Sequence, residues 1–413
     1  MRTPRRVLYL DHVAIPSGGE LALARLVAHL DRDLVTPIVV FGADGPMVDA
    51  LRALEVETHV VVLDDKVRNL RKDDVGHVGG LQGMAGGLTA YIRRLCRFAR
   101  SQSIDVLHTN SMKAHLYGGV AGRLLGLPVV WHLRDYVDRS YLPPKAVLGV
   151  RGAARVLPTG LIAVSHSVLA SVRLAPSALG WVVHDGLSED QLRPRAATDG
   201  EAPWSAPVSV GMVGRISPWK GQHIFLEAAA QVVAAGHDAR FVIVGAPMFG
   251  EDSYLAQLRS QVQRLQIGDR VEFRGFRPDV DMAEFNVLVH ASTSADPFPN
   301  TVLEGMAAGL PVVASRGGGV PEMLEHGVSG CLSEMGSAVS LARNLEAILS
   351  DPVSARRLGD EAYAQVRDRF TAPEAARRVE AFYRQLGCPR ERRPRLLTVS
   401  HAVAARPDGG ALE

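Results

Sequence analysis

The chain has 413 residues, more than one hydrophobic core usually serves, so two domains of roughly 150–200 residues each are expected. Hydrophobic residues make up 47% and charged residues 22%, an ordinary balance for a folded soluble protein. Lys plus Arg (46) nearly matches Asp plus Glu (44), for a net charge of +2, so nothing in the balance calls for a nucleic-acid or anionic-membrane partner. Three scattered cysteines, Cys96, Cys331 and Cys388, make neither a disulfide framework nor a zinc site and read as small apolar residues of a reduced compartment. No window reaches the roughly 18–20 apolar residues of a membrane span. The opening MRTPRRVLYLDHVAIPSGGE is interrupted by Asp11 and His12 too soon for a signal sequence. A cytoplasmic location is expected, with peripheral attachment at the inner membrane face left open.

Short apolar runs then alternate with helical patterns. Val7 to Leu10 opens as a strand and Gly18 to Leu30 follows as a helix; PIVVFG (37–42) and THVVVL (58–63) are the next strands. The glycine-rich, charged stretch 64–90 reads as a long mobile or functional loop. IDVLHT (104–109), PVVWH (128–132), GLIAVS (160–165) and Trp181 to His184 continue the series. Continuous Val/Ile/Leu runs suit strands covered on both faces, and strand–helix–strand order gives a doubly wound parallel α/β domain.

Around residue 187 the pattern lapses into SEDQLRPRAATDGEAPWSAP, a linker at 188–207, and then restarts. VSVGMV (208–213), FVIVG (241–245), VEFRG (271–275), VLVHA (287–291) and PVVA (311–314) are strands separated by helices. The expected domains are therefore 1–187 and 208–370. A helix over 371–387 follows the Thr371-Ala372-Pro373 start, and 388–413, with its RERRPR run, reads as a solvated disordered tail.

Three segments carry candidate chemistry. Ser17-Gly18-Gly19-Glu20 follows the first strand, where paired glycines admit a ligand and a helix start offers N–H groups to an anion; a plain strand-to-helix turn is the competing reading. It is not the GxGxxG fingerprint, which weakens an oxidoreductase reading. GMVGRISPWKG (211–221) places Arg215 and Lys220 at a strand's C-terminal end, where open α/β sheets bind ligands; a planar fork and a point charge together suit a diphosphate. SADPFPNTVLEGMAAGLPVVA (294–314) sets Asp296 and Glu304 eight apart around a rigid Pro297-Phe298-Pro299 turn. There Asn300 is the expected N-cap of a helix Thr301–Ala308, with Glu304 one turn on along the same face. The carboxylates and the amides near Thr301 and Val302 are expected to converge; a capping cluster is the alternative. His108 and Asn110, and His184-Asp185-Gly186, close other strands whose ends point at the same edge.

With these residues in place, the chain resembles the retaining nucleotide-sugar glycosyltransferases of family 4, which have the GT-B fold of two facing Rossmann-like domains. The likeness covers about residues 5–385 and is strongest over 208–332. It implies that Gly18 and Gly19 meet the donor diphosphate, that Arg215 and Lys220 neutralise it, and that Glu304 holds the ribose. It places Asp296, where the family more often has Glu, toward the donor sugar, and the backbone from Phe298 through Pro299, Asn300 and Thr301 to Val302 against sugar and phosphate. Gly275 and Phe276, in the FRGF stretch, fall where the nucleotide base is cradled. The family's active-site histidine falls in PVVWHLRD; a gapless match puts Arg134 there, while His132, two residues earlier on the same strand face, is the favoured residue.

The resemblance implies retention at the anomeric carbon without metal or other cofactor, a nucleotide-sugar donor, and a sugar, lipid-linked or small-molecule acceptor. The competing readings are a 2-epimerase-like GT-B enzyme and a catalytically silent GT-B binding protein.

Overall fold

The computed structural model describes residues 3–68, 78–175, 177–192, 204, 206–248 and 250–386. The first half builds β1 (Arg5–Asp11), α1 (Gly18–Ala28), β2 (Val35–Phe41), α2 (Pro46–Ala53) and β3 (Glu57–Val60). It continues through α3 (Asp65–Arg68), α4 (Val78–Ser101), β4 (Val106–Thr109), α5 (Met112–Leu125), β5 (Val129–Leu133), α6 (Pro144–Val156), β6 (Gly160–Ala163), α7 (His166–Val172) and β7 (Gly180–Val182). These seven strands form one parallel sheet in the order β3-β2-β1-β4-β5-β6-β7. Its central strands are wholly buried, with Val7, Leu8, Tyr9 and Leu10 at 0% exposure, as strands covered by helices on both faces must be.

The second half builds β8 (Val208–Val213), α8 (Gln222–Ala234), β9 (Ala239–Val244), α9 (Asp252–Arg264), β10 (Val271–Gly275) and β11 (Val287–His290). It ends with α10 (Asn300–Ala307), β12 (Val312–Ser315), α11 (Val320–Met323), β13 (Cys331–Ser333), α12 (Ala338–Ser350), α13 (Pro352–Arg369) and α14 (Ala372–Gln385). The six strands are parallel in the order β10-β9-β8-β11-β12-β13. Each sheet reverses its winding once, between β1 and β4 and between β8 and β11, so each has a crevice at the carboxyl ends of its central strands.

Two chain crossings join the halves side by side. Leu187 pairs with Thr371, its N–H donating to Phe370 O (3.0 Å) while Ala372 N–H donates to Leu187 O (2.8 Å). Helix α14 then lies on the first sheet. Tyr383 is buried there with its hydroxyl donating to Tyr9 Oη (2.8 Å) and meeting His108 Nδ1 (2.6 Å), while Phe382 packs edge-on against Trp181.

One expectation changes. The long loop foreseen over 64–90 contains α3 and the first half of α4; its glycines mask the helical period in sequence, although helix α4 carries the apolar spacing Tyr91, Leu95, Ala99 on its buried side. Residues 69–77 of that stretch lie outside the described residues, as do most of the 188–207 linker and the whole 388–413 tail. Among the described residues no helix is long and apolar enough to cross a membrane.

Close packing at the crossing makes a test. A Cβ on Gly186 would fall 2.1 Å from the Thr371 carbonyl carbon, whereas one on Gly152 in α6 meets nothing within 4 Å. Gly186→Ala is expected to lose about 1–3 kcal/mol in denaturant unfolding, and Gly152→Ala to be neutral or to gain up to about 1 kcal/mol from its helical position.

Candidate active site in the interdomain cleft

The second sheet's side of the cleft is organised around Asp296. Its carboxylate, 6% exposed, takes a hydrogen bond from Lys220 Nζ (Oδ2, 2.7 Å) and lies 3.4 Å from His290 Nε2, which is itself 3.0 Å from Ser292 Oγ. Burial pushes this carboxyl up, but the Lys220 ammonium and His290 outweigh it and hold it well below the usual carboxylate range. Lys220 reaches it from the tight turn after β8, with its ammonium 4.1 Å over the Trp219 ring. The backbone behind Asp296 is closed by Gly318, whose φ of +63° and lack of a Cβ let it come against the Asp296 carbonyl, where a side chain would intrude to 1.9 Å. Arg215, at the same strand end as Lys220, has Nε 3.7 Å from Glu251 Oε2, and Glu251 also accepts from Ser217 Oγ (2.5 Å).

Helix α10 begins at Asn300 with Pro299 in the N-cap position, one residue earlier than expected, and Asn300 makes no cap. A proline holds the entry geometry, so the asparagine amide is free to cross the cleft: Nδ2 donates to Gly18 O (3.1 Å) and Oδ1 accepts from Arg25 Nη2 (2.9 Å). The earlier start also occupies the Val302 amide, which donates to Pro299 O (3.1 Å). Asp296 is paired with Lys220, while Glu304, four residues along α10, feels the charge of Arg25 from the first half. Glu304 is partly buried, and burial pushes its carboxyl up to about 7 against the pull of Arg25.

The first sheet answers with a chain of polar groups at the ends of β1, β4, β5 and β7. Asn110 Nδ2 donates to Asp11 Oδ2 (2.7 Å) and to Gly19 O (3.2 Å), and its Oδ1 accepts from Arg134 Nε (2.7 Å). Arg134 Nη1 donates to both oxygens of Asp185 at 2.5 Å. Gly18 and Gly19 sit directly against Asn300 and Arg134, so α1 starts at the boundary between the two sheets. Arg25 Nε and Arg134 Nη2 are buried without a protein partner, two N–H groups left unmet on this side of the cleft.

His132 is placed differently from Arg134. It is 2% exposed, its Nδ1 lies 3.1 Å from His108 Nε2, its Nε2 has no protein partner, and the residue lines a cavity of ≈ 10 Å³ together with Asp185, Gly186 and residues of α14. Burial, then the Arg134 charge, holds its ring well below the usual range, so it stays neutral. Strand alternation puts His132 and Arg134 on one side, and His132 is buried beside His108, sharing its cavity with residues of α1 and α14. Phe298 is buried, stacked on His184 (5.1 Å) and edge-on to Phe370 (5.7 Å), so its ring serves packing. Thr301 is half-buried in the first turn of α10. Gly275 ends β10 with φ +70°, and Phe276 beyond it is 74% exposed.

Four residues of this region were not singled out from sequence. Arg25 is seven positions after Gly18, on the same face of α1, and that spacing was a usable signal. Glu251 and His290 carried none beyond standing near strand ends. Glu322 follows the glycine run 317–319, which marked a tight backbone; it accepts from the His166 and Ser167 amides (3.0 and 3.3 Å) and from His184 Nε2 (2.8 Å), a second bridge between the halves.

Two facing parallel α/β sheets, with crevices opposed and a C-terminal helix returning to the first, define the GT-B class of glycosyltransferase. Comparison with known proteins gives the family. The model described as "Glycosyl transferases group 1" matches residues 204–365, and "Glycosyltransferase Family 4" matches residues 46–187. The 2-deoxystreptamine glucosyltransferase of Streptomyces kanamyceticus is 28% identical over 77% of this chain and 86% of its own length. D-inositol 3-phosphate glycosyltransferase 1 of Catenulispora acidiphila is 28% identical over 68% of this chain and 72% of its own. An alignment with a Bacillus subtilis relative is shorter, spanning 46% of that protein. The crystal structure of Anabaena HepE in complex with UDP and glucose superposes with a TM-score of 0.77 at 26% identity, covering 92% of this chain and 99% of that one. The chain belongs to the family 4 glycosyltransferases of GT-B fold.

The Glu304 environment predicts a pH effect of definite sign. A carboxyl raised from its ordinary 4.5 to about 7 keeps its proton in the folded chain while the unfolded chain has released it, so stability falls as pH rises between those values. Glu304→Gln removes this dependence. Relative to the parent it is expected to gain on the order of 1–3 kcal/mol in denaturant unfolding on going from pH 5 to pH 8; an unchanged difference would place the carboxyl in water.

Proposed function

We propose that the cleft binds a nucleoside diphosphate sugar and transfers the sugar to a hydroxyl-bearing acceptor with retention of anomeric configuration. One observation carries the reading. Two cations, Arg215 and Lys220, stand at the β8 strand end, and the unmet N–H groups of Arg25 and Arg134 stand beside Gly18 and Gly19 on the other side. Buried guanidinium N–H groups without partners are costly, and an anion between the sheets would satisfy them.

In this reading Lys220 leaves Asp296, or shares it, to meet the diphosphate, and Arg215 does the same from Glu251. Asp296 acts as the positioning residue of Lys220 rather than reaching the sugar, as its burial and shorter side chain favour. Glu304 takes the ribose hydroxyls and Phe276 offers its exposed ring to the base. Arg134, not the covered His132, is the first-domain group beside the sugar and leaving phosphate.

The chemistry follows from charge. The bond from the anomeric carbon to the diphosphate oxygen breaks, and negative charge grows on that oxygen beside Lys220 and Arg215, which stabilise it electrostatically. The acceptor hydroxyl attacks from the face the diphosphate leaves, and its proton passes to the departing phosphate oxygen. The products are a retained glycoside and the nucleoside diphosphate.

The likeness to a protein crystallised with UDP and glucose makes UDP the first nucleotide to try. At a hundredfold excess over Kd it is expected to stabilise the parent by about 2.7 kcal/mol in thermal unfolding. Lys220→Ala and Arg215→Ala should lose most of that response. With donor sugar alone, slow hydrolysis followed by proton NMR should release first the anomer present in the donor. Inversion would remove the retaining mechanism, and no response to UDP, GDP, ADP or TDP would remove the donor site.

A further inference from the structure

We propose that the outer face of α4, α5 and α6 docks on an anionic lipid bilayer. The inference rests on this face alone and is independent of how the cleft is read.

These three helices follow β3, β4 and β5, whose successors each lie further toward β7 in the sheet. Right-handed crossovers in that direction place all three on one face, opposite α1 and α2. The packing agrees. Helices α4 and α5 share a core with Leu8, Leu10 and Leu107, Arg123 of α5 donates to Leu157 O just past α6 (2.9 Å), and α1, α2 and α14 enclose the other core.

Charge is segregated on this face. None of the three helices contains a single Asp or Glu, yet each carries arginine or lysine: Arg93, Arg94, Arg97 and Arg100 on α4, Arg123 on α5 and Arg155 on α6. All four arginines of α4 are exposed. In a chain whose acids and bases nearly balance, three helices without an acid give this face a basic excess, the acids beside it being Asp64 and Asp65 at the start of α3. Helix α13, elsewhere on the molecule, shows the ordinary mixture, with Asp360, Glu361 and Asp368 among its arginines.

Apolar side chains stand among these cations. Leu116, Val120 and Leu124 repeat every four residues along α5 and are 39%, 37% and 65% exposed; on α6, Leu148 and Val156 are 77% and 62% exposed. An aliphatic stripe bordered by arginine fits the boundary between acyl chains and anionic headgroups. A nucleic acid gains nothing from aliphatic side chains, which offer no face for base stacking. A second copy of the chain would bring like charges together.

The experiment is sedimentation of the full chain with vesicles of phosphatidylcholine alone and with one quarter phosphatidylglycerol. Binding is expected only with the anionic lipid and should weaken at 0.5 M salt, roughly as screening requires. Arg93→Gln/Arg97→Gln/Arg100→Gln should reduce partitioning at least tenfold. Leu124→Gln/Leu148→Gln should reduce it severalfold, while Arg377→Gln on α14 leaves it unchanged. Thermal melts matching the parent show that these surface variants fold. No binding to anionic vesicles overturns the proposal. So does binding that the leucine variant leaves intact while a single-stranded RNA competes fully, which would mark a polyanion surface.

Discussion

A carboxylate that has lost nearly all its water needs a cation, and the second half of this protein is arranged around that requirement at Asp296. Uncompensated, a buried charge of this kind costs several kcal/mol. Lys220 supplies the compensation at 2.7 Å, and His290 with Ser292 completes the shell. The two partners come from the ends of β8 and β11, neighbours in the sheet across the point where its winding reverses. The crevice at that point is therefore built with its charges already placed. Gly318 closes the backbone behind it because no larger residue could approach the Asp296 carbonyl.

The first half faces this with a set of groups that hold one another. Asp11, at the end of β1, and Asn110, Arg134 and Asp185, just beyond β4, β5 and β7, are tied by hydrogen bonds of 2.5–2.7 Å that fix the arginine. Two bridges then join the halves above the chain crossing: Asn300 to Gly18 and Arg25, and Glu322 to His184 and the start of α7. The crossing itself, Leu187 beside Thr371, is backbone-paired. Beside it an apolar cluster runs across both halves, with His184 stacked on Phe298 and edge-on to Phe370.

Much of the architecture was legible because burial imposes it. Strands covered on both faces must be continuous runs such as VLYL or FVIV, and glycine turns with Arg215 and Lys220 could be placed at their ends from sequence alone. Helix α4 was hidden because its early glycines contradict the propensity that packing overrides. Asn300 was misplaced for a subtler reason: asparagine is a good cap, but Pro299 already fixes the entry, and the amide's better partners lie in the other half of the molecule. The same limit applies to His132, whose burial beside a cavity that it shares with Ala372 and Ala375 of α14 involves residues more than two hundred positions later in the chain. Contacts between halves leave no local signature, and most of what was missed lies there.

The proposed diphosphate site lies between Arg215 and Lys220 on one side and the start of α1 on the other. A crystal structure of the chain with UDP is its sharpest test. Phosphate oxygens are expected within hydrogen-bond distance of Lys220 Nζ and the Arg215 guanidinium, with the ribose on Glu304. UDP bound elsewhere, or bound in the cleft with Lys220 still held solely by Asp296 and no phosphate beside it, would rule this site out.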